Sequence, residues 1–461
     1  MKELTRKFFL LLVLSAVFSG ACRKPPGKLP NIIIIGVDTL RADHLGCYGY
    51  QRDTTPRIDE FARGAYLFEN CFTPCPRTTQ AICSIMTGRY PWNHGVRELH
   101  QELPGEATTL AEILKGLGYK TISILANGLV ADKIDQGFDV IWDIDSLDHP
   151  EKVYEFDAKK TTDLAISELS QTQGKLFLWV FYMDPHMPYL GRGLPFDPDY
   201  EGRFRHMLSF DEIPHGELFF KNPLTERERE HAVALYDSEI HYLDREIGRL
   251  LDYIDGKDGD NIIIFTADHG ESLGEDDYYY DHGDLLNRAS LHVPLIISGI
   301  DFPEKIIKKT VRLIDIFPTI LNRLGLDGGE YDFDGVDLVD YSKPGADELG
   351  SFAESGKAFY EEVFEVGHRR VEGLAGRPRS VIYRGRKLLY FPTPDGIEWR
   401  LYDLNGDSEE LRTVFSAAPD PEISDLMKEV SAIARIPETS GKVPEPEGAE
   451  LERLRALGYV Q

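Results

Sequence analysis

Residues Asn31 to Asp38 read NIIIIGVD, an unbroken run of apolar and small residues closed by an acid. A run of strand length without polar alternation is the pattern of a strand buried on both faces, as in a parallel sheet covered by helices. Similar runs recur in TISILA (Thr121–Ala126), LFLWVFY (Leu176–Tyr182), NIIIFTADHG (Asn261–Gly270) and VPLIISG (Val293–Gly299). Helical spacing falls between them, at Thr108 to Leu117, Ala158 to Leu169 and Thr225 to Ile254. In the last, Tyr236, Ile240, Leu243, Ile247, Leu250 and Ile254 recur every three to four residues. Such alternation predicts an α/β fold with a mainly parallel central sheet and helices on both faces. Ligands bind outside the carboxyl ends of the strands in sheets of this kind. That rule draws attention to Asp38 and to Asp268-His269, polar residues set directly after buried runs.

The chain has 461 residues, 42% of them hydrophobic, enough for a sizeable core with an appendage. Composition changes near residue 340: KPGADELGSFAESGKA is loop-like, and SVIYRGRKLLYF and WRLYDL then read as antiparallel strands joined by PTPDGIE. We therefore expect a catalytic-type domain over 31–340 and a smaller α+β subdomain over 341–461, closing in a short helix at AELERLRALGYV. A formal charge of −27, from 51 Lys+Arg against 78 Asp+Glu, repels nucleic acid and anionic lipid. An anionic substrate must then be caught by local cations or a metal.

The first residues, MKELTRKFFLLLVLSAVFSGAC, place Lys2, Arg6 and Lys7 before an apolar run and small residues, the form of a secretory signal. Cys22 after Ser19, Gly20 and Ala21 suggests a lipoprotein cleavage box over residues 1–22 with lipidation at Cys22. Ordinary cleavage near Ala21 is the competing reading, and detergent-phase partitioning of a Cys22→Ala variant separates the two. Residues 23–30 read as a tether. The expected location is exported, as a lipoprotein of the periplasm or outer surface of a bacterium with membrane contact through the lipid, or otherwise secreted. Export also permits disulfides among Cys47, Cys71, Cys75 and Cys83.

Asp38, Asp268, His269 and His282 combine hard carboxylate oxygen with imidazole, a donor set suited to a divalent ion. Glu271, Glu275, Asp276 and Asp277 nearby read as a solvated acidic loop. His186 in DPHMPY is, from residues alone, either a loop cap or a site residue.

The blocks NIIIIGVDTLRADHLGCYGYQRDTTPRIDEFA, SIMTGRYPWNHGV, FYMDPHMPY and TADHGESLGED with YDHGDLLNRASLHVPLIISG, in this order, resemble the sulfatase family of the alkaline phosphatase superfamily. The resemblance extends to RLIDIFPTIL, LYDL and LRALGYV. It implies an alkaline phosphatase-like fold and one divalent metal (zinc, manganese or calcium) on Asp38, Asp268, His269 and the nucleophile's own oxygen. It also implies that His186 and His282 face the ester, and that the substrate is a small-molecule, glycan or lipid ester.

In that family the nucleophile precedes the glycine of TGR by ten residues and is a Cys or Ser converted to formylglycine. Here that count from Gly88 reaches Thr78. The motif's proline and arginine positions fall on Gln80 and Ile82, and no cysteine has both partners at the required offsets, so no formylglycine is expected. Thr39 replaces the acid that usually follows the first one. Threonine at the nucleophile position resembles the branch holding phosphoethanolamine and phosphoglycerol transferases and phosphodiesterases. The resemblance thus implies Thr78, His186 and His282 as catalytic, with Thr79 in reserve, and Arg77, Arg89 and Asn127 as substrate contacts. The competing reading of Thr78 is a cap for a helix beginning near Gln80. His94 reads as structural. The alternative for the whole chain is a catalytically silent fold that binds an anionic glycan or a partner.

Overall fold

The computed structural model describes residues 29–128, 130, 133–144, 157–206, 208, 224–275, 278–359, 376–407, 410–415 and 419–437, and the backbone of 363–366 and 369–372. The signal and lipidation site at Cys22, most of the tether, Asp276, Asp277 and the closing helix lie outside them.

The opening run is strand β1 (Asn31–Val37). It is followed by β2 (Tyr66–Phe72), β3 (Lys120–Leu125), β4 (Val140–Asp143), β5 (Leu176–Tyr182), β6 (Asn261–Ala267), β7 (Leu295–Ser298) and β8 (Lys305–Arg312). They form one sheet in the order β8-β2-β7-β6-β1-β5-β3-β4, to which His292–Val293 adds a short ninth strand on β2. β1 lies parallel between β5 and β6, and Ile32 to Ile35 and Val37 are fully buried, as a two-sided core strand requires. Gly36 is demanded by packing: a Cβ there would come within 2.8 Å of the Trp179 ring and 2.9 Å of Phe181 on β5.

The sheet is mixed rather than uniformly parallel, because β7 runs antiparallel to both β6 and β2. β2, β4 and β8 have no counterpart among the runs read from the sequence. β4 and β8 are the two sheet edges, and β8 carries Lys305, Lys308 and Lys309, the charges that keep an edge from pairing further. The polarity of β8 and the four-residue length of β4 hide them from a search for buried runs.

The helices are α1 (Thr78–Thr87), α2 (Leu110–Gly116), α3 (Ala158–Gln171) and α4 (Glu226–Asp255). α2 and α4 open with reciprocal capping boxes, Thr109 with Glu112 and Thr225 with Glu228. The six periodic apolar residues of α4 are all buried against the sheet. Burial stabilises by roughly 1.5–3 kcal/mol for each large aliphatic or aromatic side chain.

Beyond residue 350, β9 (Ser351–Glu354), β10 (Arg379–Tyr383), β11 (Arg386–Thr393) and β12 (Gly396–Asp403) form an antiparallel sheet. The stretch read as SVIYRGRKLLYF is a hairpin, not one strand: Arg384 and Gly385 both have positive φ and reverse the chain between β10 and β11. One face of this sheet, through Ala353, Ile382 and Leu389, packs on Phe72, Leu286 and Leu291. The other packs Val381, Leu388 and Leu401 on Ile423, Leu426 and Val430 of helix α5 (Pro421–Ile433). No described helix is long and apolar enough to cross a membrane.

Candidate active site

β1 and β6 are parallel neighbours in register, Val37 opposite Ala267. The next residues, Asp38 and Asp268, therefore emerge side by side at the carboxyl edge, and His269 follows at once. One oxygen from each acid and a ring nitrogen of His269 lie within 4.8 Å of one another, all buried. His269 Nε2 is 3.3 Å from Asp268 Oδ2 and 3.6 Å from Asp38 Oδ1.

Thr39 closes β1 at φ 55°, a left-handed conformation uncommon for a β-branched residue and costing of order 1–3 kcal/mol. Its N–H faces both acids. Burial pushes the Asp38 carboxyl up to about 7, while burial and the neighbouring Asp38 charge push Asp268 well above the usual carboxylate range. Burial holds His269 down to about 3, neutral, and its Nδ1–H donates to the Gly270 carbonyl at 2.9 Å. The lone pair is thereby left on Nε2, toward the acids.

Asp38 Oδ1 and Asp268 Oδ2 accept no hydrogen bond although both are buried. Two facing acids, two orphaned oxygens and one oriented imidazole fit a divalent cation, whose charge would let both acids ionise.

Thr78 stands at this cluster. It is the first residue of α1, 1% exposed, and its Oγ1 is 3.2 Å from His269 Nε2. The capping reading is corrected: the helix begins at Thr78, its N-cap is Arg77, and the cap makes no side-chain bond. Thr79 turns away and donates to the Leu99 carbonyl at 3.0 Å. Exposed N–H groups at the start of a ten-residue helix favour an anion beside Thr78.

The His282 ring lies 4.4 Å from that of His269 and 5.2 Å from that of His186, measured between centroids. Burial pushes His186 down to about 4 and His282 well below the usual imidazole range. His186 donates from Nδ1 to the Met187 carbonyl at 2.7 Å. Asn127 reaches Asp38 Oδ2 through Nδ2 at 3.4 Å. Arg77 reaches the His282 carbonyl at 3.4 Å and Asp284 at 3.3 Å.

Arg89 is not brought to the cluster. It follows the far end of α1, and a ten-residue helix is about 15 Å long; there it pairs with Asp332 at 3.1 Å. Ile82 and Gln80 are fully buried on α1, and Gln80 donates to the Gly356 carbonyl at 3.0 Å. The four described cysteines are free thiols. Burial pushes Cys83 up to about 12 and Cys47, Cys71 and Cys75 higher, so none is a nucleophile at neutral pH.

The acidic-loop reading fails at Glu271, which is 1% exposed. Its Oε1 is 3.1 Å from His282 Nδ1, its Oε2 accepts from the Tyr189 hydroxyl at 3.3 Å, and its carbonyl accepts from Arg41. Glu275 is tied to Arg41 at 2.6 Å. Closeness to His269 was the only sequence signal that set Glu271 apart from its acidic neighbours. A cleft of about 1420 Å³ lies beside this loop, lined by Arg41, Tyr48, Tyr279, Arg288 and His292 and by none of the cluster residues.

His94 is structural: it accepts from the Val96 N–H at Nδ1 and meets Ser84 Oγ at Nε2, 3.1 and 3.0 Å away. Burial lowers its pKa to about 3, below the unfolded value near 6.5. Between those values only the unfolded chain takes the proton, so the stability His94 contributes is whole above about pH 6.5 and falls as pH drops. The difference in unfolding free energy between wild type and His94→Gln should shrink by about 2 kcal/mol from pH 7.5 to pH 5 in denaturant titrations. A constant difference contradicts this account.

Residues 30–326 match the Sulfatase family. The chain is 25% identical, over an alignment of 507 residues, to an N-acetylglucosamine-6-O-sulfatase of Bacteroides thetaiotaomicron, covering 89% of this chain and 87% of that one. It is 26% identical to a multifunctional alkaline phosphatase superfamily protein of Trinickia caryophylli, over 64% of this chain and 74% of that one. Among solved structures, the phosphonate monoester hydrolase of Agrobacterium radiobacter superposes with a TM-score of 0.65 at 20% identity, covering 88% and 95%. A protein solved in complex with its substrate D-glucosamine-2-N,6-O-disulfate superposes with a TM-score of 0.67 at 23% identity, covering 90% and 100%. With the matched segment spanning both strand-end acids, the histidines and the TGR stretch, this chain belongs to the sulfatase family of the alkaline phosphatase superfamily.

Proposed function

We propose that this protein cleaves or transfers sulfate-type or phosphate-type esters through a covalent intermediate on Thr78. The observation that carries this reading is the position of Thr78 Oγ1, 3.2 Å from His269 Nε2, beside two orphaned carboxylate oxygens and at a helix N-terminus. Asp38, Asp268, His269 and Thr78 would hold one divalent ion. When bound, such an ion lowers the pKa of a coordinated hydroxyl and neutralises charge on the transferring group.

The chain's own residues supply the rest. A bond forms from Thr78 Oγ1 to the ester's sulfur or phosphorus as the bond to the bridging oxygen breaks. One proton leaves Thr78 and one reaches the departing oxygen. His186 and His282, on the same side of the cluster, are the groups able to pass it. Water or an acceptor alcohol then attacks the threonyl ester and frees Thr78. A threonyl ester has no aldehyde hydrate through which to collapse, so a second displacement at sulfur or phosphorus is obligatory; that favours phosphoryl over sulfuryl transfer. The sulfatase and phosphonate hydrolase relatives make ester-bearing sugars and phosphonates the first substrates to try.

A panel of aryl sulfate, aryl phosphate, phosphodiester and phosphonate esters, each with zinc, manganese and calcium, tests the reading. Turnover of a phosphorus ester with negligible sulfate activity is expected. Stoichiometric metal binding with no turnover on any of them would favour the silent alternative.

Glu271 has a definite part in this scheme. Burial raises its carboxyl and lowers the His282 imidazole, so the pair carries one proton between Oε1 and Nδ1. Glu271→Gln keeps a hydrogen bond but cannot exchange that proton. We expect kcat to fall about 10- to 100-fold with KM little changed and the pH–rate bell narrowed. An unaltered bell would remove Glu271 from the mechanism.

A further inference from the structure

We infer that Lys357, delivered by the C-terminal sheet unit, is a substrate-binding residue that together with Arg77 receives a second anionic group, a carboxylate or sulfate, on the non-reacting part of the substrate. This inference rests on the ester-cleaving reading of the Thr78 cluster.

The loop after β9 is bolted to the cluster by three short links. Gly356 N–H donates to the Gly283 carbonyl at 2.6 Å, the Gly356 carbonyl accepts from Gln80 on the first turn of α1, and Glu354 N–H donates to the Pro74 carbonyl at 3.0 Å. Behind them, Glu354 takes both arms of Arg97, at 2.8 and 2.6 Å, each side chain 1% exposed. Lys357 is thus placed from a distant part of the chain against the residues next to Thr78 and His282.

The Arg77 side chain occupies a notch that exists only because two residues are glycine. A Cβ on Gly356 would stand 2.6 Å from Arg77 Nε, and one on Gly283 would come closer still to Nη2. Arg77 and Lys357 then share a single carboxylate: Arg77 Nη2 is 3.3 Å from Asp284 Oδ1 and Lys357 Nζ 3.1 Å from Asp284 Oδ2. Asp281, another acid near Arg77 and Lys357, accepts the His282 N–H at 2.8 Å.

Exposure divides the labour. The Arg77 and Asp284 side chains are 11% and 6% exposed, while Lys357 keeps 43% of its side chain in solvent with its ammonium 5.2 Å from the centre of the Phe359 ring. The reacting ester would sit against Thr78, which leaves Arg77 and Lys357 to the second anion. The half-exposed ammonium sits beside Arg77 on Asp284, two residues along the chain from His282, where an incoming anion gains a charge-assisted bond without full desolvation of Lys357. In a chain of net charge −27, two cations gathered on one carboxylate give an incoming anion a locally compensated surface instead of an acidic one.

Calorimetric binding of 4-sulfobenzoate and benzenesulfonate to the metal-loaded full chain tests the inference without turnover. Wild type should bind the dianion at least about 10-fold more tightly. Lys357→Met, which keeps the stem over Phe359, should abolish that preference, and Lys357→Arg should restore most of it. Equal binding of the two probes by wild type, no binding of 4-sulfobenzoate, or a preference unchanged in Lys357→Met each overturns it. Thermal melts confirm that the variants are folded. Failure of the ester panel with the Lys357-dependent preference intact would sink the catalytic reading and leave this site standing.

Discussion

Thr78→Ala should lower kcat/KM on the best ester of the panel by at least about 10⁴-fold, comparable to the loss of a covalent nucleophile elsewhere. The folded protein should survive the change. Thr78 Oγ1 meets His269 Nε2 and the Asp38 and Asp268 carboxyl groups but caps nothing, so the fold loses one buried hydroxyl and one methyl group. Losses of that size cost about 1–2 kcal/mol, a few degrees in Tm for a chain of this length. Thr78→Ser should keep measurable activity, because the oxygen remains while the methyl group that limits its rotamers is gone. Rapid quenching of wild type with substrate should trap a phosphorylated or sulfated peptide containing Thr78. Full activity in Thr78→Ala would remove Thr78 as nucleophile, and a covalent adduct on Thr79 would transfer the role there.

Asp268→Asn should have two effects of opposite sign. Metal affinity should fall at least about 100-fold, since the variant withdraws one of two charged ligands from a three-residue set and leaves a neutral amide. Activity should fall with it unless metal is raised in proportion. The metal-free variant, however, should melt at a higher temperature than metal-free wild type, because it no longer buries two facing carboxyl groups whose mutual repulsion resists ionisation. In wild type, metal at 100 times its Kd should stabilise by about 2.7 kcal/mol, and most of that shift should vanish in the variant. Thermal melts with and without added metal read both effects. A metal-induced shift equal in the two proteins would show that the cation binds elsewhere.

Much of this site was legible in one dimension because its framework is local. A strand buried on both faces must be apolar throughout, so a polar residue at its carboxyl end stands out; Asp38 and Asp268-His269 were found in that way. Thr78 was reached by counting back from TGR on the spacing of the family it resembles, and the structure puts its hydroxyl 3.2 Å from His269 Nε2. Arg89 was named as a source of positive charge from its place beside TGR, but ten residues of helix carry it to the far end of α1, beside Asp332. Glu271 was misread because an acid in an acidic loop looks solvated until the opposing ring of His282 is known. The edge strand β8 escaped because much of it is polar, and β4 because four residues are too short a run to stand out.

By itself the sequence determined the α/β class, the extents of β1, β5 and α4 nearly to the residue, and the strand-end acids, since hydrophobic period and strand length depend on neighbours in the chain. Only the tertiary structure decided that β7 runs antiparallel, that Thr78 meets His269 across 191 positions, and that Lys357 reaches Asp284 from another sheet. Those contacts are set by how buried surfaces converge around β1, and nothing in the local pattern of either partner encodes the other.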